Sequence, residues 1–408
     1  MTPSQLPPAS ARAARIAASA LFLVNGALIA NVVPRLPAIK ASLDLSNAEL
    51  GAAVAAMPVG GLLAGGLAGV LIHRVGSGRL AVITGVVATL LLGGLGLASS
   101  WAALAAVFLV LGALDAMMDA AMNAHGLGVE RRYGRSILHG FHGWWSAGTM
   151  AGGAMGAIAA GALLPVPLHL AIAGVALAVV TLVAARGLLP DQEADAPAAD
   201  ATGLEDHDIH LRNAPRLLRI LGPLALLGIL GVMLEDAAST WSSVYLVDTL
   251  GLGAGIAATA FVLYTACMTL GRLTNDRWVD RWGGAFVARS GALVAAVGLV
   301  GVAAAGLVNV APLAYVGFAA VGIGASSLFP VMVSAAGSRP GIPAAHGVAL
   351  VSWLARIGFV LAPMLVGLAA DAAGLAIAFV IPMAAALLIA ALAPVLIDGR
   401  PAAGQARA

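Results

Sequence analysis

The chain is a series of long apolar stretches divided by short polar punctuation. A helix crosses a hydrocarbon core in about 20 residues. Apolar runs of that size fall at 13–38, 47–72, 79–99, 102–128, 137–163, 166–188, 219–246, 255–277, 284–306, 309–335, 343–369 and 375–397. Strand-type alternation of apolar and polar positions is absent, which argues against a transmembrane β-barrel. Ser46-Asn47-Ala48-Glu49 has the form of a capping box opening the second run. The first run follows Arg12 and Arg15, as a signal peptide would, but it is too long for one and reads as a helix. The expected fold class is an all-α integral membrane protein with twelve transmembrane helices.

Composition agrees with that pattern. The 408 residues are 61% hydrophobic and 10% charged, where soluble domains carry about 25% charged residues. Too few polar side chains exist to cover a water-facing surface. The 51 glycines suit helices that approach closely in lipid. A single cysteine, Cys267, excludes an internal disulfide, and a single lysine, Lys40, stands outside any Gly-Lys-Ser/Thr phosphate loop. No cofactor, metal or nucleic acid is expected; His207 and His210 alone are too few for a metal site.

Basic residues mark the inner side of a membrane protein. With an inside N-terminus, Arg74, Arg79, Arg131, Arg132, Arg135, Arg277, Arg281, Arg289 and Arg339 all fall in cytoplasmic loops, and only Arg35 and Lys40 fall outside. Both chain ends are then cytoplasmic, in a bacterial inner membrane. Residues 190–218 are rich in Ala, Pro and acids and read as a solvated linker. The expected organisation is a tail at 1–12, a six-helix bundle at 13–189, the linker, a second bundle at 219–398 and a tail at 399–408.

The bundles repeat one another. His73-Arg74-Val75-Gly76 matches Asp280-Arg281-Trp282-Gly283, and Arg132-x-Gly134-x-x-x-x-His139-Gly140 matches Arg339-x-Gly341-x-x-x-x-His346-Gly347. The separations, 280 − 73 and 346 − 139, both equal 207. Two like-facing halves related by an axis along the membrane normal follow from that offset.

This architecture resembles the major facilitator superfamily over essentially the whole chain, with two pseudo-symmetric six-helix bundles. Asp280-Arg281-Trp282-Gly283 is similar to the superfamily's loop motif after the second helix of a half, and Arg272 fits the same pattern. The first copy departs from it, with His73 where the family has Asp. The resemblance implies a cytoplasmic gate built from His73, Arg74, Arg272, Asp280 and Arg281. Asp119-Ala120-Ala121-Met122-Asn123, His139 to Gly148, Glu235-Asp236 and Gly322-x-Gly324-x-Ser326 look like a bacterial branch related to sugar–proton symporters such as the fucose symporter.

Ionisable groups inside the hydrocarbon cost about 2.5–3.5 kcal/mol on insertion scales and mark pathways. The fourth helix carries Asp115, Asp119 and Asn123 at four-residue steps, which keeps them on one face. The seventh carries Glu235 and Asp236, adjacent and therefore about 100° apart. The eleventh carries Arg356, which either neutralises one of these acids or binds an anionic group of the substrate. Asp115, Asp119, Glu235 and Asp236 are the proton-coupling candidates. Asn25, Asn123, Trp144, Trp145, Trp241, Tyr264, Trp353 and Arg356 are the substrate-binding candidates. The expectation is a monomeric, proton-coupled secondary transporter of a small polar solute, sugar-like or a small organic acid, working by alternating access. The alternatives are a proton-driven exporter of hydrophobic compounds or an uncoupled facilitator. With no nucleophile–base cluster, a receptor or enzyme is the weakest reading.

Overall fold

The computed structural model describes residues 9–195, 214–340 and 342–396. Six long helices occupy the first stretch: α1 Ala9–Ala30, α2 Asn47–Val75, α3 Ser77–Leu97, α4 Trp101–Tyr133, α5 Leu138–Gly161 and α6 Val166–Ala185. Next come α7 Ala214–Asp248, α8 Ala254–Trp282 and α9 Gly284–Val308. The last three are interrupted: α10 is Ala311–Ala325 with Leu328–Gly337, α11 is Ala344–Ala355 with Ile357–Ala373, and α12 is Leu375–Ala378 with Val380–Leu392. The described residues contain no strand.

Eleven of these segments are long and apolar enough to cross a membrane. The twelfth, α5, has 24 residues, so length suffices. Its apolar character is diluted by His139, His142, Trp144, Trp145, Ser146 and many glycines. The twelve expected runs thus match the observed helices, with local corrections besides the interruptions of α10, α11 and α12 and the earlier start of α7 at Ala214. The first run does not continue to residue 38. It ends at Ala30, passes through a 3₁₀ turn at Val33–Arg35 and resumes at Leu36–Ser42, because Pro34 and Pro37 lack the N–H that an unbroken helix needs. The fourth helix runs on to Tyr133 and the eighth to Trp282.

Helix ends follow local chemistry. The Ser46 hydroxyl accepts the Glu49 N–H at 3.1 Å while the Glu49 carboxylate accepts the Ser46 N–H at 2.8 Å, completing the capping box of α2. Gly76 and Gly283, 207 positions apart, both precede a helix with positive φ, at 96° and 81°. L side chains rarely adopt that conformation, so the repeat in sequence is also a repeat in backbone geometry. Gly341, in the second copy of the other motif, lies outside the described residues.

The helices pair through close backbone approach. A Cβ at Gly112 would sit 1.8 Å from the Met57 carbonyl oxygen, and one at Gly148 would sit 2.0 Å from that of Leu23. These contacts hold α4 on α2 and α5 on α1, as expected where small residues replace a hydrophobic driving force. The second half repeats the scheme, with Gly322 against Tyr264 joining α10 to α8 and Gly358 against Ile229 joining α11 to α7.

The described residues divide into two compact units. One takes residues 9–195 with Leu246–Val262; the other takes 214–245 and 263–396. The adjoining ends of α7 and α8 therefore belong with the first unit, where the expected division ran at the linker. Ala258 packs with Ala157 and Ala160, Phe261 packs with Ala30 and Val33, and Lys40 pairs with Asp248.

The linker also differs from expectation at its start. Residues 191–195 are not a solvated strand of chain. Asp191–Ala194 forms one helical turn docked on the first unit. The Asp191 carboxylate accepts the Gly78 N–H at 2.7 Å, and Asp195 accepts the Ser77 N–H at 2.9 Å. The free N–H groups at the start of α3 attract those carboxylates. Residues 196–213 of the expected linker, with His207 and His210, lie outside the described residues, while 214–218 already belong to α7. Of the expected tails, 1–8 and 399–408 lie outside the described residues and 9–12 already belong to α1.

Candidate functional site

Each unit carries its own polar cluster within spanning helices. In the first unit the link is neutral to charged. Asn25 of α1 donates from Nδ2 to Asp115 Oδ1 of α4 at 2.8 Å, and its Oδ1 accepts the Trp145 indole N–H of α5 at 2.9 Å. A single amide thereby ties three helices together. Asn25 is buried and Asp115 half-buried. Further along α4, Asn123 donates to both the Asp119 carboxylate, at 3.0 Å, and the Asp119 carbonyl, at 2.8 Å. The three residues expected on one face of α4 thus divide into two local arrangements. Trp144, adjacent to Trp145, takes no part and is half exposed.

In the second unit the link is ionic. Arg272 of α8 reaches Glu235 of α7 with Nη2 3.2 Å from Oε2. Tyr264 of α8 donates to the Glu235 carbonyl oxygen at 2.9 Å. Asp236 points elsewhere and receives the Thr240 hydroxyl at 3.4 Å, as the angular separation of neighbouring helix positions requires. Glu235 Oε1 and Arg272 Nε are buried and have no hydrogen-bond partner among the described residues.

Two expectations change here. The sequence offered an ion pair between Arg356 and one of the acids. Glu235 is paired with Arg272 instead, and Arg356 makes no ion pair among the described residues. Trp241, expected to line the solute path, is fully buried with 0% exposure. Trp353 is exposed beside Arg356.

Arg356 stands where α11 changes hydrogen-bonding. Its N–H bonds to the Trp353 carbonyl at 3.2 Å and its carbonyl accepts the Phe359 N–H at 3.1 Å, both three-residue steps. Such a tightened turn inside a long helix often marks a hinge or a functional position. Of the expected gate residues, His73, Arg74, Asp280 and Arg281 are exposed beside the turning glycines, while Arg272 is engaged with Glu235.

A further cluster was not foreseen. His125 of α4 is fully buried, with Nδ1 3.2 Å from the Ser77 hydroxyl, next to the docked Asp191 and Asp195. The available signal was the pair of acids four residues apart directly after α6. Its acid-rich surroundings disguise it as solvated chain.

With this geometry in view, residues 18–346 match the family profile described as Major Facilitator Superfamily. The chain belongs to the major facilitator superfamily. Its relatives include the protein named "Uncharacterized transporter y4wD" of Sinorhizobium fredii, 32% identical over 376 residues, covering 92% of this chain and 96% of that one. An MFS-type transporter of Yersinia pestis, also named uncharacterized, is 32% identical over 362 residues, 88% of this chain and 89% of its own. Among solved structures, the nucleoside transporter NupG superposes with a TM-score of 0.72 at 14% identity, covering 95% of this chain and 98% of that one. A D-xylose–proton symporter superposes at 0.69 and 14% identity, covering 94% and 97%. An inward-facing bacterial homologue of the lysosomal transporter Spinster superposes at 0.75 and 15% identity, covering 94% and 96%. At these identities the superpositions establish the fold alone. The chain is therefore a multi-pass membrane transporter with the superfamily's fold, and it is not an enzyme.

Proposed function

We propose that this superfamily transporter is a proton-coupled carrier of a small anionic solute, a small organic acid, in a bacterial inner membrane and working by alternating access. The observation that carries the reading is Arg356. A guanidinium on a spanning helix keeps its charge and is costly there unless something answers it. No described acid does so, which leaves the solute as its counter-ion. Trp353 and the tight turn at Arg356 supply an aromatic neighbour and a hinge.

The coupling candidates remain Asp115, Asp119, Glu235 and Asp236. Glu235 has one oxygen on Arg272 and the other buried without a donor, a position suited to a proton. Asn25, Asn123 and Tyr264 hold the side chains or backbone of these acids, and Trp145 holds Asn25. His73, Arg74, Asp280 and Arg281 are the gate residues in this reading.

A neutral polyol is the second reading. It is kept because the structures of similar fold include a D-xylose–proton symporter and a nucleoside transporter.

Counterflow and proton uptake in proteoliposomes test both parts. Arg356→Gln is expected to weaken carboxylate transport by about a hundredfold, in line with 2–5 kcal/mol for truncating one partner of a buried charge pair, and to spare neutral sugars. Asp119→Asn is expected to abolish solute-driven proton movement. Sugar transport lost equally with Arg356→Gln would favour the polyol. Proton movement unchanged in Asp119→Asn would remove that acid from the coupling role, and transport indifferent to a collapsed pH gradient would favour an uncoupled facilitator.

A further inference from the structure

The end of α8 differs from its repeat counterpart at the end of α2 in a way that the transport reading does not use. Thr274, Arg277, Trp278 and Arg281 line a pocket of about 310 Å³. Trp278 stacks on Trp282, with ring centroids 4.8 Å apart and planes 19° apart, and Phe286 meets Trp282 edge-on at 5.5 Å. The Arg281 guanidinium lies 5.7 Å from the centre of the Trp282 ring. Arg277 and Arg281 are four residues apart, so their side chains rise from one face. Both are exposed, and neither has an ion-pair partner among the described residues. Asp276 and Asp280 each precede one of the arginines, about 100° around the helix, and neither comes within 4.0 Å of them.

Continuing along this face toward the middle of α8, Leu273 is 74% exposed and Leu270 62%. The face is thus two open cations beside stacked aromatics, running into bare aliphatic surface. At the positions 207 earlier, the first half has Leu67, Val70, Leu71, Arg74 and Val75 in place of Thr274, Arg277, Trp278, Arg281 and Trp282. Leu67 and Val70 are exposed apolar side chains. One copy of the repeat is plain lipid-facing surface with a single arginine; the other has added a guanidinium and two indoles.

We propose that this end of α8 is a binding site for an anionic phospholipid of the leaflet on the basic-loop side. The headgroup phosphate lies between Arg277 and Arg281 with Thr274 as a further donor, Trp278 and Trp282 sit at the glycerol level, and the acyl chains run along Leu273 and Leu270. Aromatic side chains of this kind collect at the membrane interface, and basic pockets beside spanning helices take anionic headgroups. A soluble phosphate ester would make no use of the aliphatic surface that continues the site.

Native mass spectrometry of the full chain, released from micelles doped with equal phosphatidylglycerol and phosphatidylcholine, tests this. Retention of phosphatidylglycerol is expected to exceed that of phosphatidylcholine. Each arginine is worth about fivefold in that preference. Arg277→Gln is therefore expected to lower it about fivefold, and Arg277→Gln with Arg281→Gln roughly twenty-five-fold. Arg277→Val, which copies the first half's own residue, serves as a second variant should glutamine disturb folding. Free glycerol phosphate at millimolar concentration is expected to leave the bound lipid in place. A preference that survives in the double variant, or one that glycerol phosphate abolishes, overturns the proposal.

Discussion

The two halves share helix order, backbone turns and glycine contacts, yet they secure their intramembrane acids by different chemistry. The first half ties Asp115 with an amide, Asn25, which also holds Trp145. The second ties Glu235 with a guanidinium, Arg272. Positions 207 apart explain the divergence: Glu235 corresponds to Leu28, Arg272 to Gly65, Asp115 to Gly322 and Arg356 to Thr149. None of these charged positions is charged in both copies, although the helices that carry them are shared. Both copies keep the same helix pairs, made by glycines at different positions (Gly112 falls at Ala319, and Gly322 at Asp115), while each copy places its charged groups on its own.

If that division holds, removing the ionic tie should be the most damaging change. Arg272→Gln leaves the mostly buried Glu235 carboxylate without its cation. Breaking a buried pair by removing one partner costs about 3–5 kcal/mol, and the lower end applies because Arg272 is about a third exposed. The double variant Arg272→Gln with Glu235→Gln should recover much of that loss, since two amides need no charge compensation. Thermal unfolding in detergent of the two single variants and the double variant measures the coupling. An additive double variant would mean that the pair is incidental.

The shared scaffold should respond alike in both halves. Gly112→Ala drives a methyl into the Met57 carbonyl, and Gly322→Ala drives one into that of Tyr264. Overpacking of this kind costs about 1–3 kcal/mol. Similar losses at the two sites would support equivalent roles, with the larger at Gly112, where the approach is closer. A loss in one half alone would show that the repeat is no longer symmetric in its packing.

The same division explains what could be read from the chain. Run length and the 207-residue offset carry the helix order and the turning glycines, because each is written locally or twice. The Ser46 capping box is equally local. Pro34 and Pro37 also stood in plain view as the cause of the break after Ala30, but apolar length masked them. The Arg272–Glu235 pair joins residues 37 positions apart on different helices, and no periodicity announces it. Arg356 was legible as a charge in need of an answer, while its isolation from the acids required the fold. Asp191 and Asp195 were hidden by composition, since acid-rich chain reads as solvated until a helix end with free N–H groups is placed beside it.

A milder test addresses the amide tie. Asn25→Ala removes one hydrogen bond to the Asp115 carboxylate and one from Trp145. A bond to a charged group is worth about 1.5–3 kcal/mol, and water admitted at half-buried Asp115 would offset part of it, leaving about 1.5 kcal/mol. Asn25→Asp should be worse than Asn25→Ala, because it faces Asp115 with a second acid. Thermal unfolding ranks the two, and the reverse order would show that the amide's shape matters more than its donor.

The smallest effect belongs to the docked turn at Asp191, a contact with no counterpart among the described residues of the second half. Two contacts compete to explain the docking. Asp191 accepts the Gly78 N–H at 2.7 Å and lies 3.4 Å from Arg79 Nε, whose side chain is 78% exposed. An exposed ion pair contributes between zero and about 1 kcal/mol, with many contributing nothing measurable, whereas a cap on a free helix N–H contributes about 1 kcal/mol. Asp191→Ala should therefore speed hydrogen exchange at Ser77 and Gly78 about fivefold, while Arg79→Ala should leave it unchanged. Salt discriminates further, since screening weakens the exposed pair and spares the short bond to the backbone. Equal acceleration by both substitutions would assign the docking to the ion pair. Among the described residues, the two halves would then differ here by a surface charge and not by a capped helix.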